Sequence, residues 1–415
     1  MASRGEHLVR ADRGFVTGGG WLGRLSAPLF ARVVDQLDAR LERGGIEATL
    51  PDGRPRRIGF NAPGPVAVVR IHSWMALVRM ATSGSVGWYK SWAAREWSSP
   101  DPVPLFELFM TNAVSLGDTA RAKGPMRMLN ALAHRLRDNG LAQARDNIAA
   151  HYDLGNDFYA AWLDDTMSYS SARFHGPNES LETAQKHKIS LLLDRLDLTP
   201  GTRLLEIGCG WGSLAIEAAR RGAIVTALTL SAEQKGWADA KIAEAGLTDR
   251  IAIRLQDYRL VTKQYDALAS VEMVEAVGER WWPAYLDTIS RALVPGGKAA
   301  LQFIAIDPRL FDAYSAGADF IQAYIFPGGM LLDEPRFAAL AAQRGLSWSD
   351  RDGFGPDYAE TLRQWRTRYD AAVRVGRLDE FSAEFHDLWR YYLMYCEGGF
   401  RGLGIDVAQV TLTRS

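Results

Sequence analysis

One stretch constrains the fold more than any other: Leu204-Leu205-Glu206-Ile207-Gly208-Cys209-Gly210-Trp211-Gly212. A short apolar run ends in an acidic residue and three alternate glycines, and Ser213 to Ala219 then carries a helical pattern. Strand, tight turn and helix start are therefore expected in succession. The glycines let backbone pass close beneath a ligand without Cβ clashes, and the amides at the helix start favour polar or anionic groups. Spacing separates the ligand classes. A dinucleotide fingerprint requires G-x-G-x-x-G, whereas this loop reads E-x-G-x-G-x-G.

That form is similar to the loop of class I S-adenosylmethionine (SAM) methyltransferases, in which it approaches the amino-acid half of the cofactor. The following chain continues the alternation. Strands are expected at 224–228, 251–255, 265–271 and 299–304, the last after the turn Val294-Pro295-Gly296-Gly297-Lys298, with a final strand at 407–412. Strands separated by helices predict an α/β fold, a Rossmann-like and mostly parallel seven-stranded sheet with ligands at the carboxyl ends of its strands.

With 415 residues, the chain has room for more than this one domain. Residues 1–120 read as a small α+β accessory domain. It has a helix from Ser26-Ala27-Pro28, a hairpin around Pro51-Asp52-Gly53, a strand at 66–71 and a helix through Trp74 to Met80. Trp88, Trp92 and Trp97 form either the core of that domain or a lipid-facing surface, and core is the favoured expectation. Residues 121–146 read as a basic amphipathic connector, suited either to an anionic membrane or to solvent. Residues 147–415 form the SAM-binding domain, with an acyl-chain-binding insertion around 318–347 and an aromatic helical region from Trp365 to Tyr395.

Charge narrows the partners little, because 48 basic residues nearly balance 49 acidic ones, and nucleic acid is not expected. The two cysteines, Cys209 and Cys396, form neither a disulfide framework nor a metal pattern and suit a reducing cytosol. No signal-peptide core and no apolar run of about 18 residues stands out. A cytoplasmic protein, peripheral to a membrane and forming a homodimer, is expected.

The words His151-Tyr152-Asp153-Leu154-Gly155-Asn156-Asp157, Tyr169-Ser170, Glu206 to Gly212, Leu228 to Gln234, Leu255 to Arg259 and Tyr324-Ile325-Phe326-Pro327 occur in this order. In them residues 147–415 resemble the cyclopropane-fatty-acid synthase family, which includes the mycolic acid cyclopropane synthases. The resemblance implies cofactor binding by Tyr152, Tyr169, Ser170, Glu206, Gly208, Cys209, Gly210, Trp211, Gly212, Thr229, Leu230, Ser231, Gln234, Gln256, Asp257 and Tyr258. Many nucleotide-binding folds end the second strand with an acid that holds the ribose. Here Thr229 to Ser231 carry no charge, so Gln234 is the expected partner. Asp257 is placed to accept from the adenine amino group, and the Tyr258 ring to flank the base.

The resemblance also assigns chemistry. An alkene attacks the sulfonium methyl, leaving a cation on the lipid chain that needs a dry pocket, π faces and a base. In the family a bound bicarbonate is that base. Glu275 matches the family's glutamate and Tyr324 its tyrosine. Where better-known members have cysteine and histidine, this chain has Ser171 and Gln302, and Ile304 is expected to keep a backbone acceptor role. Glu272 stands where the best-known members have glycine. It reads either as a second base that makes bicarbonate unnecessary or as an acid favoured by a helix dipole. Cys396 matches a cysteine once nominated as catalytic, although the chemistry needs no sulfur nucleophile.

The expected activity is SAM-dependent methyl(ene) transfer to the double bond of an unsaturated phospholipid acyl chain, giving a cyclopropane. The alternatives are a methyl-branched or methylene product without ring closure, a small-molecule N-methyltransferase, and a non-catalytic lipid- and SAM-binding module.

Overall fold

The computed structural model describes residues 4–10, 27–117 and 154–415, with side chains of 27–33 excluded. The expected basic connector, Tyr152 and Ser26 lie outside the described residues. Two compact units emerge, neither continuous in sequence: residues 1–137, 307–327 and 380–405 in one, and residues 138–306, 328–379 and 406–415 in the other.

The first unit contains a four-stranded sheet built from β1 (Gly45–Thr49), β2 (Pro55–Gly59), β3 (Val66–Ile71) and β4 (Trp97–Ser98), in the order β2-β1-β3-β4. β1 and β2 form the expected antiparallel hairpin, and β3 runs parallel to β1. Alternate β3 residues Ala67, Val69 and Ile71 are buried, as a half-covered strand requires. Helix Met75–Ala93 is longer than expected and continues through the glycine-rich stretch, with a break at Gly84, whose φ is +55°. Trp88 and Trp97 are buried and stacked at 4.5 Å. The tryptophans therefore fill a core.

Residues 307–327 and 380–405, expected within the SAM-binding domain, pack in this first unit. They contribute helix Pro308–Ser315, a π-helical turn Ile321–Ile325 and helix Ala383–Arg401. The aromatic region from Trp365 to Tyr395 is thus two helices, of which Gly355–Arg374 belongs to the second unit.

That second unit is organised on a seven-stranded sheet. Its strands are β5 (Arg203–Ile207), β6 (Ile224–Thr229), β7 (Ile251–Leu255), β8 (Tyr265–Val271), β9 (Leu293–Ile306), β10 (Leu346–Gly353) and β11 (Ile405–Arg414). Their order is β10-β11-β9-β8-β5-β6-β7. β5 to β9 pair in parallel, and β10 is antiparallel to β11. This is the mostly parallel seven-stranded sheet that the sequence predicts. Leu204, Leu205, Ala227 and Leu268 are wholly buried at its centre, each buried leucine contributing roughly 1.5–3 kcal/mol. The expected turn at 294–298 lies inside β9, where the register slips between Tyr265 and Ala267. β10 is not among the expected strands, since the acyl-chain-binding insertion was placed through 347. Helix Glu334–Ala342 occupies only part of that insertion. The strand that follows is largely polar and sits at the sheet edge, where charge replaces the apolar alternation that marks inner strands. Among the described residues, no helix is long and apolar enough to cross a membrane.

Candidate active site

β5 delivers the glycine turn. Gly208, Gly210 and Gly212 all have positive φ, at +83°, +50° and +92°. The N–H groups of Gly208 and Cys209 both donate to the Leu228 carbonyl, at 3.0 and 2.9 Å, which ties the turn to the end of β6. A Cβ at Gly208 would lie 2.8 Å from Met273 Cγ, whereas one at Gly210 would meet nothing within 4 Å. Gly208 therefore serves packing, and Gly210 borders open space. Trp211 Nε1 donates to Asn156 Oδ1 at 2.7 Å, so the Asn156 word braces the turn. Ser213 Oγ donates to the Thr166 carbonyl, connecting the turn to the segment that carries Tyr169, Ser170 and Ser171. Tyr169 lies against Tyr159, Trp162 and Trp365.

The donor set suits the amino-acid end of SAM. Glu206 is buried at the end of β5, and its Oε2 has no hydrogen-bond partner among the described residues. Burial pushes its carboxyl up to about 8, against the pull of Lys188. Thr229 Oγ1 donates to Gln234 Oε1 at 2.8 Å, turning the amide nitrogen into the end left to donate. Ser231 caps helix Ala232–Glu244 by accepting from Gln234 N at 3.2 Å. Leu230 and Gln256 flank these groups in the chain, and Gln256 N donates to Thr229 O at 3.2 Å. Asp257 is bound by its own neighbour: Arg259 donates Nε to Oδ1 at 2.9 Å and Nη2 to Oδ2 at 2.7 Å. An adenine amine would share an occupied carboxylate. The Tyr258 ring is buried against Tyr285 at 5.4 Å, and burial pushes its hydroxyl up to about 12. The Cys209 thiol is likewise pushed well up by burial and is inert.

β8 and β9 build the other half. Glu272 follows β8 with φ +47°, a left-handed conformation that costs a side-chain-bearing residue about 1 kcal/mol or more. Glycine would adopt it freely. Its N–H donates to the Gln302 carbonyl at 2.7 Å. The carboxylate accepts from three donors: Ser171 N at 2.9 Å and Gln302 Nε2 at 2.8 Å on Oε1, and Tyr358 OH at 2.7 Å on Oε2. None of these donors is an amide of the turn Val274–Ala276 that follows. Burial pushes its pKa up, opposed by these bonds and by Lys188. Ser171 offers its backbone to this cluster, since its hydroxyl donates to Ala172 O at 2.9 Å.

Glu275 sits in the 3₁₀ turn Val274–Ala276 and accepts from Ile304 N through Oε1. Ile304 thus acts as a donor here, and its carbonyl accepts from Leu332 N at 3.1 Å. Glu275 Oε2 has no hydrogen-bond partner among the described residues. Burial, reinforced by the Glu272 charge, pushes its carboxyl up to about 8.

Tyr324 and Cys396 belong to the first unit. Tyr324 lies in the π-helical turn, with Tyr89 edge-on at 4.6 Å and Phe320 at 5.5 Å. The Cys396 thiol is pushed strongly up by burial and by the Asp319 charge, the opposite of an activated nucleophile. Tyr358, Lys188 and Gln409 were not foreseen. For two of them the signal was a polar residue at a core position: Gln409 between the apolar Val407, Ala408 and Val410, and Lys188 three residues after Gln185 on one helix face.

The profile described as mycolic acid cyclopropane synthetase matches residues 140–410. The chain belongs to this family. It is 40% identical over 361 residues to tuberculostearic acid methyltransferase UfaA1 of Mycobacterium tuberculosis, covering 83% of this chain and 82% of that one. It is 36% identical over 272 residues to the cyclopropane-fatty-acyl-phospholipid synthase of Escherichia coli K12, covering 64% and 66%. The crystal structure of mycolic acid cyclopropane synthase CmaA1 complexed with SAH and CTAB superposes with a TM-score of 0.61 at 29% identity, over 65% of this chain and 98% of that one. The protein is accordingly a SAM-dependent methyltransferase.

Proposed function

We propose that this enzyme methylates the double bond of an unsaturated phospholipid acyl chain, at the cytoplasmic membrane surface, and that Glu272 is the base. SAM, when bound, supplies a methyl group electrophilic enough for an alkene to attack. The chain's own residues orient that methyl through the glycine turn and handle the proton that must leave the lipid cation. One observation carries the reading. The Glu272 carboxylate is gripped by the backbone of Ser171 and the side chain of Gln302, the two positions where the resemblance puts a cysteine and a histidine around bicarbonate. It reaches them from a left-handed backbone position that suits glycine. A half-buried carboxylate retained at a conformational cost is equipped to take a proton.

Loss of the proton from a carbon beside the cation gives a methyl-branched alkene, and a methylene branch needs a 1,2-hydride shift first to move the charge to the carbon bearing the new methyl. Loss from the new methyl closes a cyclopropane. Similarity over four-fifths of both chains to a protein named as a methyltransferase supports the first product. The second is supported by the shorter match to the E. coli cyclopropane synthase. Transfer from labelled SAM to vesicles of unsaturated phospholipid tests the activity, and ozonolysis separates alkene from ring. Glu272→Gln should lower kcat by about 10²–10⁴-fold while leaving the affinity for S-adenosylhomocysteine near wild type. Full activity in that variant removes Glu272 as the base, and failure of the wild type to label lipid removes the substrate class.

A further inference from the structure

Helix Leu181–Asp194 turns a lysine inward. Lys188 is 2% exposed, and a buried ammonium is costly unless anions surround it. Its Nζ donates to Ser170 Oγ at 2.7 Å. The carboxylates of Glu272, Asp164 and Glu206 favour its charge, while burial pushes its pKa down to about 8. The same helix makes two more bonds into the site. Gln185 Nε2 donates to the Ser170 carbonyl at 2.8 Å, and the Lys188 carbonyl accepts from Gln409 Nε2 at 3.2 Å. Gln409 Nε2 also donates to Gln302 Oε1 at 3.1 Å, and Gln302 Nε2 to Glu272 Oε1 at 2.8 Å. Lys188 thus reaches the SAM-binding segment through its side chain. Its backbone carbonyl is joined to Glu272 through two amides, and its ammonium acts on Glu272 through its field.

We propose that Lys188 is a positioning residue that fixes Ser170 in the segment braced against the glycine turn and keeps Glu272 ionised for proton removal. This rests on Glu272 being the base. The charged groups acting on Glu272 are Lys188 and Glu275, and its neutral donors are Ser171 N, Gln302 and Tyr358. Those acting on Lys188 are Asp164 before Tyr169, Glu206 at the end of β5 and Glu272 after β8. Removing a neighbouring cation raises a carboxyl pKa. Glu272 would then hold its proton to higher pH.

The test combines two variants with a readout that needs no turnover. In Lys188→Met the acid limb of kcat should move up by about one pH unit or more, with rate regained at alkaline pH, and Lys188→Arg should restore the limb. The ¹³C resonance of the Glu272 carboxyl, assigned by its absence in Glu272→Gln, should show the same upward shift in the S-adenosylhomocysteine complex. In the wild type it should also show a second inflection near pH 8, as Lys188 gives up its proton, and Lys188→Arg should abolish it. Because Glu206 and Glu275 are also pushed to about 8, both titrations are read in a Glu275→Gln background, where an inflection of undiminished size in the arginine variant overturns the proposal. So does a methionine variant slowed equally at every pH with the Glu272 resonance unmoved. If the methionine variant does not fold, the wild-type and arginine titrations still decide. Full activity of Glu272→Gln would instead sink the base assignment, leaving the effect of Lys188 on that carboxyl separately measured.

Discussion

The glycine turn and the carboxylate pocket sit at the ends of neighbouring strands, yet they are built in opposite ways. At Gly208–Gly212 positive φ angles fall on residues that adopt them freely, and the turn is closed by backbone hydrogen bonds. At Glu272 a positive φ falls on a residue that resists it, and the geometry is held by side chains from β9 and helix Gly355–Arg374 and by the backbone of Ser171. The first region is conformationally relaxed and, in the function proposed, holds SAM. The second is strained, desolvated and poised to change protonation.

Substitutions should therefore fail differently in the two places. After the loss of kcat in Glu272→Gln, the next largest effect is expected for Gly208→Ala, which must adopt φ +83° with its Cβ 2.8 Å from Met273 Cγ. A penalty of about 1–3 kcal/mol should weaken S-adenosylhomocysteine binding by roughly tenfold or more, measured by calorimetry. Unchanged affinity would mean that the turn is not the binding element.

Glu275→Gln should act in the reverse sense on stability. The Glu275 carboxyl is pushed up from 4.5 to about 8, so the folded state binds this proton more tightly than the unfolded state. Its contribution is complete below pH 4.5 and is lost as pH rises through 8. The glutamine variant cannot ionise, and its melting temperature should exceed that of the wild type at pH 8, with the gap closing towards pH 5. A gap independent of pH would show that Glu275 is not held protonated by burial. The smallest effect is expected for Cys396→Ser, since its thiol is buried and pushed far up. Its kcat should stay within about twofold, and a large loss would restore a role for sulfur.

The contrast also explains what could be read from sequence. Glu206 to Gly212 was legible because alternate glycines after an apolar run have few other uses. Strands β5 to β9 were legible because buried parallel strands are continuously apolar. β10 escaped because an edge strand carries polar residues such as Asp350 and Arg351. The assignment of 307–327 and 380–405 to the first unit escaped because linear boundaries cannot show a chain returning to an earlier unit. Glu272 was visible as a residue, but its use depends on Ser171, Gln302 and Tyr358 converging from distant positions. Lys188 and Gln409 looked like stray polar residues until the core around them was in place.

The central claim, that the base is part of the chain rather than a bound ion, is tested most directly by bicarbonate dependence. Methyl transfer by the wild type should proceed at its full rate in carbon-dioxide-free buffer and be indifferent to added bicarbonate. A collapse of the rate on depletion, reversed by bicarbonate, would contradict it.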